Sequence, residues 1–422
     1  MIHKRIKINC FIQNILMFFL IFGFPIIPFI NSVKIIMGIT ILFLLLGISA
    51  CFFYRKFFSF ELTVFNFLYS LFFVLTLLLT IFTRNLDFSL SIKILSSQIM
   101  ILICILFMSF LNINIEESIW KCFIVQSVII LLCIFSQTFY DLTSPFRAEM
   151  AEHHIAAYGR MRGNAIAGYQ FFGISTMYGF VIIWGILNIH KSLKYILQLL
   201  LIIVCGCISG RYCITSVLIG IMVKLFLLIR EKKVKYVIGI LFAFVLAMGI
   251  GVLVVFKISE NIKDPLVKKI FDNYIVKPVE SIFSENGFES DSTNVLKEMY
   301  ELDISDYLLL GEGKYSNEDG SYFGHIDIGY YRIILYYGIF GILVLSILYL
   351  YFIWFSNENT KTSLKVAFFL FFIVLNFKGD VQLYNNNIIP LLVGYCYFSQ
   401  PKGFSFTKKK HKKSRVLTYI FS

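Results

Sequence analysis

The sequence predicts an all-α fold: a polytopic integral membrane protein of about twelve transmembrane helices with one large extracytoplasmic loop. Three observations carry this. Of the 422 residues, 58% are hydrophobic and 15% charged, and the mean hydropathy is +0.80. A soluble chain cannot cover that much apolar surface, whereas a bilayer can. The apolar residues come in continuous runs of roughly twenty, not in the alternating segments of about ten that mark a β-barrel. Basic clusters recur between the runs in an alternating order, as the positive-inside rule requires.

Taken in order, runs of spanning length fall near 11–30, 35–53, 62–82, 94–111, 122–139, 169–189, 236–256 and 327–355. Shorter or interrupted runs fall near 195–208, 212–229, 366–377 and 388–399. The first run follows His3, Lys4, Arg5 and Lys7 and mimics a signal peptide. It is long, and no small-residue cleavage site follows, so it is expected to be a retained span. Lys4, Arg5 and Lys7; Arg55 and Lys56; Lys191 and Lys194; Arg230, Lys232, Lys233 and Lys235; Lys361 and Lys365; and the Lys408–Lys413 tail then fall on one side, the cytoplasm. Both termini are expected there. The net charge of +13 is thus a statement about topology and anionic headgroups, not a nucleic-acid footprint.

The expected organisation is N-terminal membrane helices over 1–139, a first extracytoplasmic loop over 140–168, central helices over 169–256, a large extracytoplasmic loop over 257–326, C-terminal helices over 327–400 and a basic tail over 401–422. There is no internal repeat, which weighs against an inverted-repeat transporter, as do the few charges inside the runs. The nine cysteines lie in or beside apolar runs and are read as small helix residues, not a disulfide framework.

Three polar features could carry chemistry. The first outer loop brings Arg147, Arg160 and Arg162 towards the sixth span, and glycines and alanines follow from Gly163 to Gly168. Guanidinium is a permanent, planar cation suited to phosphate oxygens, and small residues let a ligand or another backbone approach. Headgroup contact is the alternative. The second feature is Ser209-Gly210-Arg211, a tight turn between two short runs. An arginine so close to the apolar layer either meets a ligand or pairs with an acid such as Asp327 or Asp380. The third is Gly311-Glu312-Gly313, a polar stretch, and then His325 and Asp327 before an apolar run. Histidine is the side chain that exchanges a proton near neutral pH, although a loop histidine bonded to backbone reads the same way in sequence. The Gly-Glu-Gly run is similar to a phosphate loop but lacks the Gly-Lys-Ser/Thr ending. Lys378-Gly379-Asp380 separates the last two short runs, and Lys378 is a further candidate for substrate contact. No Walker, H-E-x-x-H or D-x-D motif is present, which suggests a phosphate ligand bound without metal or cofactor.

These features together resemble the bacterial O-antigen and capsular repeat-unit polymerases (Wzy-type) and the related O-antigen ligases, over about 120–395. The resemblance rests on the arginine loop running into Arg162-Gly-Asn-Ala, on Ser209-Gly210-Arg211, and on Leu309-Leu-Gly311-Glu-Gly313 followed by Gly324-His325-Ile326 and Tyr337-Gly338-Ile-Phe-Gly341. It implies glycosyl transfer from an undecaprenyl-pyrophosphate-linked oligosaccharide at the outer face of the bacterial cytoplasmic membrane, building O-antigen, capsule or exopolysaccharide. Arg160, Arg162 and Arg211, with Arg147, would bind the pyrophosphate. His325 would be the base, with Asp327 as its substitute. Tyr322, Tyr330 and Tyr331 would offer ring faces to sugars, or else form an interfacial aromatic belt. The partners implied are the lipid-linked glycan, the bilayer, and a flippase and chain-length regulator of the same pathway. A lipid-glycan ligase and a lipid-linked oligosaccharide transporter are the competing readings.

Overall fold

The computed structural model describes residues 10–27, 30–45, 60–111, 115–148, 162–188, 192–240, 291–317, 321–355, 362–384 and 390–392, with isolated positions between 242 and 280. The expected spans 236–256 and 388–399 lie largely outside these residues. So do most of the 257–326 loop up to Asp291, the tail over 401–422 and Arg160.

The described chain is mostly helical. Its helices are α1 (Cys10–Phe22), α2 (Ser32–Leu45), α3 (Phe60–Phe82), α4 (Ser89–Leu111), α5 (Ile115–Phe135), α6 (Gln137–Thr143), α7 (Phe172–Leu187), α8 (Leu193–Ser209), α9 (Cys213–Arg230), α10 (Asp291–Tyr300), α11 (Gly329–Tyr337), α12 (Ile339–Phe355) and α13 (Thr362–Asn376). Within α3, Thr63–Phe82 is long and apolar enough to cross a membrane, as are α5 and α9. Shorter apolar helices, α7, α8 and α13 among them, accompany these. Phe67, Leu132, Met222 and Phe226 stand exposed on the three long helices. That arrangement suits lipid and would be unfavourable in water.

The core is built around α7. Every residue from Gly173 to Leu187 except Trp184 is buried, and the helix packs against α8, α9 and α13. Small residues make this possible. A Cβ on Gly179 would sit 2.2 Å from the ring of Phe371, so that ring lies directly on the α7 backbone. Elsewhere α1 packs on α5, α2 and α3 pack on α4, and α12 packs on α3 and α13.

Two expected spans are corrected. The run over 11–30 is not one helix. It ends at Phe22, where Gly23 takes a left-handed φ of +53°, and the chain turns into a hairpin of β1 (Pro25–Ile27) and β2 (Ile30–Asn31). Pro25 cannot supply the N–H that a continuing helix would need. The Ser32 hydroxyl donates to the carbonyl of Phe19 at 2.6 Å and ties the returning chain to α1.

The run over 327–355 is likewise broken: α11 and α12 meet at 118°. Gly338, at the bend, has φ +72°, and a Cβ there would lie 2.3 Å from the carbonyl oxygen of Leu309. The Gly311-Glu312-Gly313 run is the other half of this joint. The Glu312 and Gly313 amides donate to the carbonyls of Leu335 and Tyr336, at 2.8 and 3.1 Å, and the Ile339 amide donates to Leu308 at 2.8 Å. The segment therefore satisfies carbonyls that the end of α11 leaves open. Its glycines allow close backbone approach: a Cβ on Gly311 would lie 2.3 Å from the Tyr336 carbonyl carbon. Its likeness to a phosphate loop has a structural cause. Tyr336 and Tyr337 complete the anchorage, sharing hydrogen bonds of 2.6 Å with Thr80 and Thr76 of α3.

Candidate functional site

The loop over 162–171 is held from both sides before it reaches α7. The Gly168 amide donates to Phe22 at 2.9 Å, and a Cβ on Gly168 would lie 2.4 Å from the Gly23 oxygen. Gln126 of α5 donates to Ile166 at 3.0 Å. Asn164, Ala165 and Ala167 are buried. The small residues of this loop thus admit another backbone, and that contact fixes Arg162 in place. The Arg162 Nε donates to Ser209 O, at the end of α8, at 3.2 Å. Its guanidinium lies 4.7 Å from the centre of the Phe171 ring.

The expected tight turn forms between α8 and α9. A Cβ on Gly210 would sit 2.7 Å from the Ser175 side chain, so this residue lets the turn press against the first turn of α7. Arg211 follows. Tyr212 is fixed by its hydroxyl, which donates to Val374 of α13 at 3.1 Å, and by an edge contact with Phe172 at 5.5 Å. Lys378, in the turn after α13, places its Nζ 5.5 Å from the Tyr212 ring centre. Burial pushes the Lys378 ammonium down to about 8, and the positive charges of Arg211 and Arg162 push in the same direction. The three cations thus come from three separate segments that meet the N-terminal end of α7: Arg162 on Phe171, the Gly210-Arg211 turn on Ser175, and Lys378 beside Tyr212, whose ring meets Phe172. Phe171 caps that helix with φ +50° and no side-chain hydrogen bond to its amides. A helix N-terminus is itself the positive end of a dipole. Such a place suits a polyvalent anion.

Beyond Gly379 the same turn enters a second polar cluster. Asp380 pairs with Arg332 of α11 at 2.9 Å, with the two side chains 5% and 3% exposed. The Tyr315 hydroxyl donates to Asp380 at 2.9 Å, and the Lys93 ammonium donates to Tyr315 at 3.3 Å. The Arg332 guanidinium stacks on Tyr322 at 3.3 Å and faces Tyr315 at 4.3 Å. Asp87, before α4, accepts from the amides of Tyr315 and Ser316 at 2.8 and 2.9 Å. Burial opposes its ionisation, yet its hydrogen bonds from Ser89, Ser316 and Tyr315 outweigh this and hold its carboxyl below the ordinary range.

The structure brings together Arg162, Arg211 and Lys378. It sets Arg147 elsewhere, buried against the Tyr140 ring at 3.9 Å and donating to Cys133 at 3.2 Å and to Thr143. Arg160 is outside the described residues. His325 and Asp327 are exposed. His325 has a left-handed φ of +55°, its amide donates to Tyr322 at 2.8 Å, and its Nδ1 lies 3.3 Å from the Ser321 hydroxyl. The Tyr330 and Tyr331 hydroxyls donate to Ile373 and Tyr300, at 2.9 and 3.1 Å, so both bind the fold together. Tyr322 has one face against Arg332. Asp380, one of the two acids expected as a possible partner for Arg211, pairs with Arg332.

Sequence reasoning missed the Arg332–Asp380 pair and underrated charge inside the apolar runs. The available signal was Arg332 itself, a lone cation within the 327–355 run. Among the described residues no three His, Cys, Asp or Glu side chains gather as metal ligands would. No protein-family model matches the chain, and no curated protein is significantly similar to it.

Proposed function

We propose that the protein is a membrane glycosyltransferase. It would polymerise undecaprenyl-pyrophosphate-linked oligosaccharide units into surface polysaccharide at the outer face of the cytoplasmic membrane. The observation that carries this is that Arg162, on the Phe171 ring, the Gly210-Arg211 turn, against Ser175, and Lys378, by the Tyr212 ring, all stand around the N-terminus of α7. A pyrophosphate leaving group gathers charge as the glycosidic bond to it breaks, and preorganised cations stabilise that charge most where water is scarce. Arg162 and Arg211 supply planar forks, and Lys378 a third, compact charge. His325, exposed nearby in sequence to the Tyr322 loop, is the candidate base that takes the proton of the acceptor hydroxyl, with Asp327 as its substitute. The proposed arrangement has about twelve spans with both termini cytoplasmic, which puts the clamp and His325 on the outer side.

A second reading has its own observation. A buried ion pair beside a sharply broken helix is also what ion-coupled transporters carry, so Arg332–Asp380 and the bend at Gly338 favour a transporter of the same lipid-linked glycan. The clamp distinguishes the two through pH. Lys378 is charged below about 8 and neutral above it. In the polymerase reading kcat/KM for the lipid-linked unit falls as pH rises through that value, because the free enzyme loses one of three clamp charges. Lys378→Arg removes that limb of the profile. A wild-type profile flat from pH 7 to 9 would contradict the role of Lys378.

A further inference from the structure

We propose that Arg332 and Asp380 are positioning residues that hold the His325 loop in register with the cation clamp. This rests on the polymerase reading of those two parts.

The connection is continuous and short. Lys378 belongs to the clamp, and Asp380 lies two residues on, in the same turn. Asp380 binds Arg332 at 2.9 Å in a pair almost closed to solvent. The Arg332 guanidinium carbon lies 3.3 Å from the centre of the Tyr322 ring. Tyr322 in turn organises the loop that carries the histidine. It bridges back to Ser316, its carbonyl accepts from Asn317 at 2.9 Å, and the His325 amide donates to the same carbonyl at 2.8 Å. Asp380 fixes this loop a second time by accepting from Tyr315, whose carbonyl accepts from the Phe323 amide at 3.1 Å. The α11 backbone is seated on the clamp's own turn, since a Cβ on Gly329 would lie 2.6 Å from the Gly379 oxygen.

Without this strut His325 would sit at the end of an exposed loop, with only a 3.3 Å contact to Ser321 to orient its ring. A left-handed histidine persists only where its surroundings determine it. An ionic pair also explains what an apolar contact here would not. Charge opposite charge defines one register, whereas apolar packing tolerates sliding.

The test is steady-state polymerisation of purified lipid-linked units by Arg332→Lys and Arg211→Ala. Lysine keeps the charge for Asp380 but loses the flat face that meets Tyr322. For Arg332→Lys we expect kcat to fall by about ten- to a hundredfold, the cost of a displaced reacting group, with KM unchanged. Should Arg332→Lys fail to accumulate, Tyr322→Leu removes the same stack from the solvent side, and the same split between kcat and KM is expected. A raised KM with wild-type kcat would make Tyr322 a sugar contact and overturn the strut. Wild-type kcat in a folded Arg332→Lys protein would also overturn it. Arg211→Ala separates the two levels: if it keeps full turnover, the clamp reading fails, whatever Arg332→Lys does.

Discussion

Arg211→Ala and Arg162→Ala are each expected to lower turnover of the lipid-linked unit by roughly a hundred- to a thousandfold while the protein still inserts and folds. Removing one preorganised donor from a developing anion costs about 3–4 kcal/mol in comparable sites. The effect should be largest at Arg211, which stands in a turn that Gly210 lets press on α7. Lysine at either position is expected to rescue poorly, because an ammonium does not reproduce the two-pronged fork. The rate is measured with EDTA present. Wild-type rates from both alanine variants would remove the clamp. Complete loss of wild-type activity in EDTA, restored by Mg²⁺, would keep the glycosyl transfer and replace the clamp with a metal, for which Asp303, Asp306 and Asp327 are the candidate acids.

Asp380→Ala is expected to be the most destabilising single change in the polar interior. It leaves the Arg332 guanidinium buried without its counter-charge and removes the acceptor of the Tyr315 hydroxyl. Breaking a buried pair from one side costs about 3–5 kcal/mol, whereas replacing both partners with apolar residues of similar volume is close to neutral. Asp380→Ala should therefore unfold well below the wild-type temperature and accumulate poorly. The double variant Arg332→Met with Asp380→Leu should recover most of the loss. Thermal unfolding of the purified protein in detergent checks this. Equal unfolding temperatures for wild type and Asp380→Ala would show that the pair contributes nothing to stability.

Most helices were legible because a membrane segment must be apolar throughout, and a run such as 62–82 admits little else. The failures came where one residue overrode a run. Gly23 and Gly338 adopt left-handed backbone, and each ends a helix inside a stretch whose hydropathy continues unbroken. A hydropathy window averages over that residue, while the chain turns on it.

The site was legible to the extent that charge beside apolar sequence is informative. Arg162, Arg211 and Lys378 each stood out on that ground, although nothing in their spacing showed that they meet. Arg147, ranked behind Arg160 and Arg162, is packed on Tyr140; sequence does not distinguish a guanidinium facing a ligand from one stacked on a ring. The Arg332–Asp380 pair escaped notice because one member lies on α11 and the other in the turn after α13, 48 residues on, and each alone reads as a stray charge. Gly311 and Gly313 have a structural reason to be small. They let one backbone lie against the end of another helix.

The claim that this chain forms glycosidic bonds is tested most directly with the purified protein in lipid vesicles loaded with undecaprenyl-pyrophosphate-linked units. The account predicts a ladder of lengthened glycans, one undecaprenyl pyrophosphate released for each bond formed, and both products formed at least about a hundredfold more slowly by Arg211→Ala. Units that cross the bilayer unchanged in length, with no pyrophosphate lipid released, would contradict it and make the protein a transporter.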